Sequence, residues 1–366
     1  KFGLWFHLSI IASMKKLLLL LALSFFSIQG FAAGCPDGSE PVKSISADGT
    51  YFVFNCDTQA EGDTGEQKSS KTLSKDVQIF LTPDITNYTL EIVQKWLKVG
   101  ADAWGSYGPI EVYVIGQNKS EAIKLENDFC KRHIQLDSGW NKKWDCANEN
   151  YQIFTRYVDE GGAAVSSYRK SHLSYDFDTL IMSSKRPGPS EEDYKIVLLH
   201  EYFHIHQIAH ISGKCSDNRN IPCERDKKMT GDYVKRPWLH EGGAEYRAQL
   251  LYHQNPDSKG SLRQRMKRKL SESIKAYKQK YNMNLKSLTY EIGGHDAYNI
   301  GAWFTAYLIH NEGEERHRVN FYQDIDELGF EGSFKKNFGK SSDDYIKEFN
   351  AFITQPFSEV LKIIPK

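Results

Sequence analysis

His200-Glu201-Tyr202-Phe203-His204 constrains this chain more than any other stretch of it. Two histidines four residues apart stack on one face of an α-helix, so both imidazoles converge on one point. Glu201 projects beside the same point, where a base must stand to take a proton from an attacking water. Such a pair is a metal-binding arrangement, and zinc in a hydrolytic site takes three protein ligands and keeps one position open. The fold therefore has to bring a second segment, with a third ligand, against this helix. Ile196, Val197, Leu198, Leu199 and Phe203 supply ample apolar surface to bury it, so the histidines are not needed as core filler.

Two residues compete for the third position. His210 completes a spacing that superficially resembles the metzincin H-E-x-x-H-x-x-G-x-x-H, in which a glycine lets the chain turn back to the metal. Here Gln207 stands at the glycine position; as a good helix former it carries His210 around the helix and away. Met229, Met266 and Met283 offer no convincing Met-turn. Glu241, the other candidate, can complete the set.

Trp238-Leu239-His240-Glu241-Gly242-Gly243-Ala244-Glu245 resembles the W-L-x-E-G-x-A-E glutamate helix of the gluzincin metallopeptidases. The resemblance spans roughly residues 176 to 355. It implies one Zn2+ per chain held by His200, His204 and Glu241, with Glu201 as general base. It also implies that Glu245, one turn on, holds a ligand histidine's other N–H and fixes its tautomer. Tyr298-Asn299-Ile300-Gly301 is similar to the Y-x-x-G segment that carries the family's transition-state tyrosine. Ser333 to Gly339 and the helix-like run from Asp343 to Phe352 resemble a C-terminal element of the clan. His295-Asp296, just before Tyr298, offers a rival donor for the oxyanion. His206 and His240 read as cleft neighbours or exposed residues and Trp238 as core. Gly242 and Gly243 read as permitting close approach between the glutamate helix and the metal helix.

The fold so implied is α+β: a zincin-like catalytic domain with a small mixed sheet before the H-E-x-x-H helix and a mainly helical C-terminal lobe. The activity implied is hydrolysis of a peptide or protein substrate. The G-x-M-E-N segment that holds a free amine in the clan's aminopeptidases is missing, which favours endopeptidase action. The alternative is a non-catalytic envelope or secreted binding protein whose zinc site is structural or vestigial. Such a site would be closed by a fourth ligand, from His240 or Glu245, and would have no use for Glu201.

Lys and Arg (47) balance Asp and Glu (47), so no global field steers nucleic acid or a membrane surface toward the protein. Arg263 to Lys280 is rich in basic residues but lacks aromatic interleaving and reads as a solvated helix face. No nucleic-acid partner is expected.

Met14-Lys15-Lys16 and the apolar run to Phe31 read as a secretory signal, with residues 1 to 13 as an over-extended start or upstream translation. The expected location is exported, periplasmic or secreted, with no integral membrane span in the mature protein. Ala32-Ala33-Gly34-Cys35 also forms a poor lipobox, but a lipid on Cys35 would leave Cys56 without a partner. The six cysteines of an exported chain suit disulfides, most simply 35–56, 130–146 and 215–223.

The expected organisation is residues 1–34 as extension and signal, 35–75 as a small disulfide-closed hairpin plus linker, and 76–366 as the metallopeptidase domain. Apolar periodicity predicts a helix over 87–104 and another near 121–132, with strands over 110–115, 151–158 and 177–182. The metal helix is predicted over 192–211, with Ser190 as its N-cap. Beyond Pro237 the chain reads as helical, broken at Asn255-Pro256, Gly293-Gly294 and Gly329.

Overall fold

In the strands Ile110–Ile115 (β4) and Asp178–Ser183 (β6) every residue is buried, and alternate residues serve different cores. The computed structural model describes residues 42–45, 52–55, 77–136, 153–167, 177–212, 224, 228–229 and 237–366. The expected signal segment, the 57–75 linker and five of the six cysteines lie outside the described residues, as does most of the 213–236 loop. Cys130 is buried.

The chain divides into two compact units, Lys1–Gln67 and Lys68–Lys366. In the first, Val42–Ile45 (β1) and Phe52–Asn55 (β2) pair antiparallel, with Val42 opposite Asn55.

The second unit holds a mixed four-stranded sheet of order β3-β4-β6-β5, in which Val77–Leu81 (β3), β4 and β6 run parallel. Ala163–Ser167 (β5) is antiparallel to β6 at the edge. The period-2 pleat sends Val112, Val114, Leu180 and Met182 into the larger core, with Asn87–Trp104 (α1) and Glu192–Ala209 (α4). It sends Tyr113, Ile115 and Ile181 to the other face, against Lys119–Leu136 (α2) and Ile153–Glu160 (α3). A sheet covered on both faces explains why β4 reads as a mainly apolar run, with the buried Glu111 as its one charged residue. Each fully buried Leu, Val or Phe in these layers contributes about 1.5–3 kcal/mol.

The predicted strand over 151–158 is a correction, because α3 is helical from residue 153. A strand would put Arg156 on the same face as Phe154 and Val158. The helix buries Phe154 and Val158 against Tyr113 and Phe129, and turns Arg156 outward to pair with Glu160 at 2.8 Å. β3 and β5 are strands that the periodicity reading did not anticipate.

From residue 237 the described chain is helical: Pro237–Gln254 (α5), Leu262–Gln279 (α6), Gly294–Glu312 (α7), Phe321–Phe338 (α8), Ser342–Ile353 (α9) and the short Phe357–Val360 (α10). The breaks fall at the expected places. α5 stops at Gln254, Gly293 (φ 77°) opens α7, and Gly329 (φ 66°) kinks α8. The protein is thus α+β, a small mixed sheet followed by a mainly helical part. Among the described residues no helix is long and apolar enough to cross a membrane.

Candidate metal centre

α4 runs through the middle of the second unit and is buried from Tyr194 to Ile208 on nearly every side, packed against β5, α1 and α5. It starts at Glu192 as predicted, but its N-cap falls one residue later than the expected Ser190. Glu191 is its extended N-cap, and the Glu191 carboxylate accepts from the Gly188 amide at 2.6 Å rather than capping the helix. Glu192 and Asp193 follow in the first turn, where acids suit the helix dipole. Both are gripped by Arg265 of α6, at 3.0 and 2.7 Å.

α5 lies beside α4, and its glycines determine what touches what. A Cβ on Gly242 would stand 2.3 Å from the Gly301 carbonyl carbon, and a Cβ on Gly301 would stand 2.0 Å from the Trp238 carbonyl oxygen. Gly242 therefore admits α7, not the metal helix as expected. Gly243 does face the metal helix, through the Gln207 side chain. The two glycines of the glutamate helix thus serve different neighbours, and Gly301 of the Tyr298 segment is the mate of Gly242. This close contact carries Tyr298 to the centre.

His200 Nε2, His204 Nε2 and Glu241 Oε2 meet there, 3.0 Å apart for the histidine pair and 3.1 Å from each histidine to the carboxylate. All three residues are buried, and together they form a group able to hold a metal ion. One cation can reach all three atoms at the ~2.0–2.2 Å of zinc–nitrogen and zinc–oxygen bonds.

Both histidines are oriented from behind. Glu245 Oε2 faces His200 Nδ1 at 3.3 Å, and Gln207 Oε1 faces His204 Nδ1 at 2.7 Å. Glu245 is itself held by Lys269 at 2.7 Å and by Gln249 at 3.0 Å. Gln207 donates to the His240 carbonyl at 3.0 Å and the Tyr322 hydroxyl at 2.9 Å, so its oxygen is the atom left for His204. With Nδ1–H engaged on each ring, both Nε2 atoms present lone pairs to the same point as a carboxylate oxygen. Three acceptors at this spacing repel unless a positive charge joins them, so the donor set fits a metal.

Without an ion, the same crowding of carboxylates draws protons onto the imidazoles instead. Although burial alone would lower it, the Glu241 and Glu245 carboxylates push the His200 pKa up to about 10. Burial opposes ionisation of Glu245, but the Lys269 ammonium and His200 hold its carboxyl well below the usual range. Glu241 is held well below as well, because His204 and the hydrogen bonds from both histidines outweigh its burial. Glu201 differs. Burial and the nearby Glu241 charge hold its carboxyl above the usual range, against the pull of His200, His204 and the Val165 amide. A raised carboxyl beside the cluster suits proton transfer.

The Tyr298 ring stacks on His200 with centroids 5.7 Å apart and planes 8° from parallel. Burial and the adjacent Glu241 push its hydroxyl far above the usual tyrosine range, so it stays protonated and able to donate. His295 is placed differently. Its side chain is 72% exposed, beside Glu272 at 3.5 Å and bonded to Asn299 at 3.0 Å. His210 caps the end of α4 next to Tyr107 and is not in the cluster. His206 is a correction, being buried between the Trp104 and Arg318 carbonyls, while half-buried His240 stacks on His204 with ring centroids 4.1 Å apart. Trp238 is core.

Gln207, Lys269 and Tyr290 belong to the centre and were not anticipated from the sequence. Gln207 lies three residues after His204, one helical turn on, which is the available signal. Lys269 belongs to the basic stretch of α6, yet its side chain is only 13% exposed, a correction to the solvated-face expectation. The Tyr290 hydroxyl reaches Glu241 Oε1 at 2.5 Å from a loop that carries no motif. Comparison of the chain with protein-family models, curated proteins and solved structures finds no match to any of them.

Proposed function

We propose that the chain is an exported zinc-dependent peptidase of gluzincin type, with a zincin-like catalytic domain and endopeptidase action on a peptide or protein substrate. The observation that carries this reading is the set His200 Nε2, His204 Nε2 and Glu241 Oε2, joined by the buried Glu201 beside it. His200, His204 and Glu241 would hold a zinc ion, which would supply polarisation of a carbonyl and a water of lowered pKa. Glu201 takes the proton of the attacking water and passes it to the leaving amine. The Tyr298 hydroxyl donates to the developing oxyanion, a role its geometry supports over the exposed His295.

β5 supports a peptide as substrate. Ala164 lies opposite Ile181 within the β5–β6 ladder, and the Val165 amide points to the other side, where it meets Glu201. Backbone groups on that outer edge can bind an extended chain by strand addition beside the base. A structural zinc site is disfavoured. Glu245 is committed to His200 Nδ1 and Lys269, and His240 lies flat on His204, so neither closes a fourth position. Export and the cysteine pairs 35–56, 130–146 and 215–223 remain part of this proposal.

The test is cleavage of a peptide library by wild type and by Glu201→Gln. Cleavage by wild type and its loss in the variant, with zinc retained in both, is the expected result. A fully active Glu201→Gln protein would sink the mechanism.

A further inference from the structure

The two oxygens of Glu241 are used differently. Oε2 meets the two histidine Nε2 atoms, and Oε1 accepts from the Tyr290 hydroxyl at 2.5 Å. A carboxylate ligand whose second oxygen is free can swing to chelate a metal with both, which would fill the position a reaction needs open. A hydroxyl on Oε1 opposes that swing.

Tyr290 is well placed to hold this arrangement. It sits in a tight turn, Thr289–Ile292, closed by the Thr289 amide donating to the Ile292 carbonyl and the Ile292 amide donating to Thr289 Oγ1, both at 3.0 Å. The turn is anchored on one side by the fully buried Leu288. On the other, Gly293 (φ 77°) has no room for a side chain, because a Cβ there would stand 2.6 Å from the Tyr281 hydroxyl. Gly293 leads directly into α7, the helix that bears Tyr298. One tightly fixed turn thus sets the hydroxyl end of Tyr290 on the centre, while the residue as a whole is 51% exposed. That exposure puts Tyr290 on the rim of the site, not in the packing behind it, where Gln207 and Glu245 lie.

We infer that Tyr290 is a positioning residue, which fixes Glu241 as a single-oxygen ligand from the rim of the metal centre. The inference rests on the proposed metal reading of His200, His204 and Glu241. Removing the hydroxyl leaves the fold intact, since Tyr290→Phe deletes one oxygen from a half-exposed side chain, but it frees Glu241 to rotate.

The experiment is competition for Zn2+ against a chromophoric chelator, with the visible spectrum of the Co2+-substituted protein, for wild type, Tyr290→Phe and Ile292→Ser. Tyr290→Phe is expected to bind about tenfold more weakly, at the low end of losses seen when a group supporting a ligand is removed. Its cobalt spectrum is expected to change intensity as the coordination number changes. Ile292→Ser, which keeps the hydroxyl, is expected to match wild type in both. A Tyr290→Phe protein with wild-type affinity and an unchanged cobalt spectrum overturns the inference while leaving the metal centre standing. A wild type that binds neither metal overturns the reading of the centre itself, and this inference with it.

Discussion

Gln207 Oε1 lies 2.7 Å from His204 Nδ1, and both Gln207 amide hydrogens are already spent on the His240 carbonyl and the Tyr322 hydroxyl. The glutamine cannot flip without losing both bonds, so it fixes the His204 tautomer as firmly as a carboxylate would. Gln207→Leu should therefore lower zinc affinity by about 10–100-fold with little change in fold, and Gln207→Glu, which accepts from His204 but cannot donate to the His240 carbonyl, should restore only part of it. Calorimetric titration of zinc into each variant checks this. Equal affinities across the series would mean that His204 needs no orienting partner.

The contact between Gly242 and Gly301 is the joint between the helix bearing Glu241 and the helix bearing Tyr298. Gly242→Ala would drive a methyl into the α7 backbone, where no side chain can yield, and should destabilise the protein by about 3 kcal/mol or more. Gly243→Ala meets side-chain atoms alone, the Gln207 amide at 3.2 Å, the Tyr322 hydroxyl at 3.3 Å and His317 Cε1 at 3.9 Å, and should cost less. Thermal melting of the two variants beside wild type tests the ranking. A Gly242→Ala protein as stable as wild type would mean that the two helices are not so closely joined.

His317 is fully buried and accepts from Arg247 through Nδ1 at 3.3 Å, so it is neutral in the folded state. Burial, reinforced by the Arg247 charge, holds its pKa well below the ordinary value. The unfolded chain then binds a proton that the folded one does not, from about pH 6.5 downward. Stability should fall with acidification below that point, by about 1.4 kcal/mol per pH unit from this residue. Urea unfolding between pH 7.5 and 5 should show a shallower slope for His317→Gln than for wild type. Identical slopes would contradict a neutral His317.

Much of the centre was legible because its chemistry repeats along helices. His200, Glu201 and His204 share one turn, so spacing aligned them, and the resemblance to a glutamate helix pointed to Glu241 and Glu245. β4 and β6 were legible as apolar runs of strand length. β5 was not, because Ala163-Ala164-Val165-Ser166-Ser167 is an edge strand of mostly small residues whose pairing depends on β6. α3 was misread because aromatic and β-branched residues at 153–158 suit either state, and only the outward turn of Arg156 separates them. Gln207 and Lys269 are not legible as site residues because each has an ordinary role on its own helix. Their roles arise from partners 33 to 115 positions away for Gln207 and from α5 for Lys269, and no local pattern records such distances. Tyr290 carries no signal at all, since only the fold brings its turn to Glu241.

The most direct test of the account is the zinc content of wild type, His204→Ala and Glu241→Ala after equilibrium dialysis, read by elemental analysis. One zinc per chain in wild type, with loss in both variants, is the predicted result. A zinc-free wild type, or a His204→Ala protein that holds zinc as tightly as wild type, would contradict the assignment of this centre.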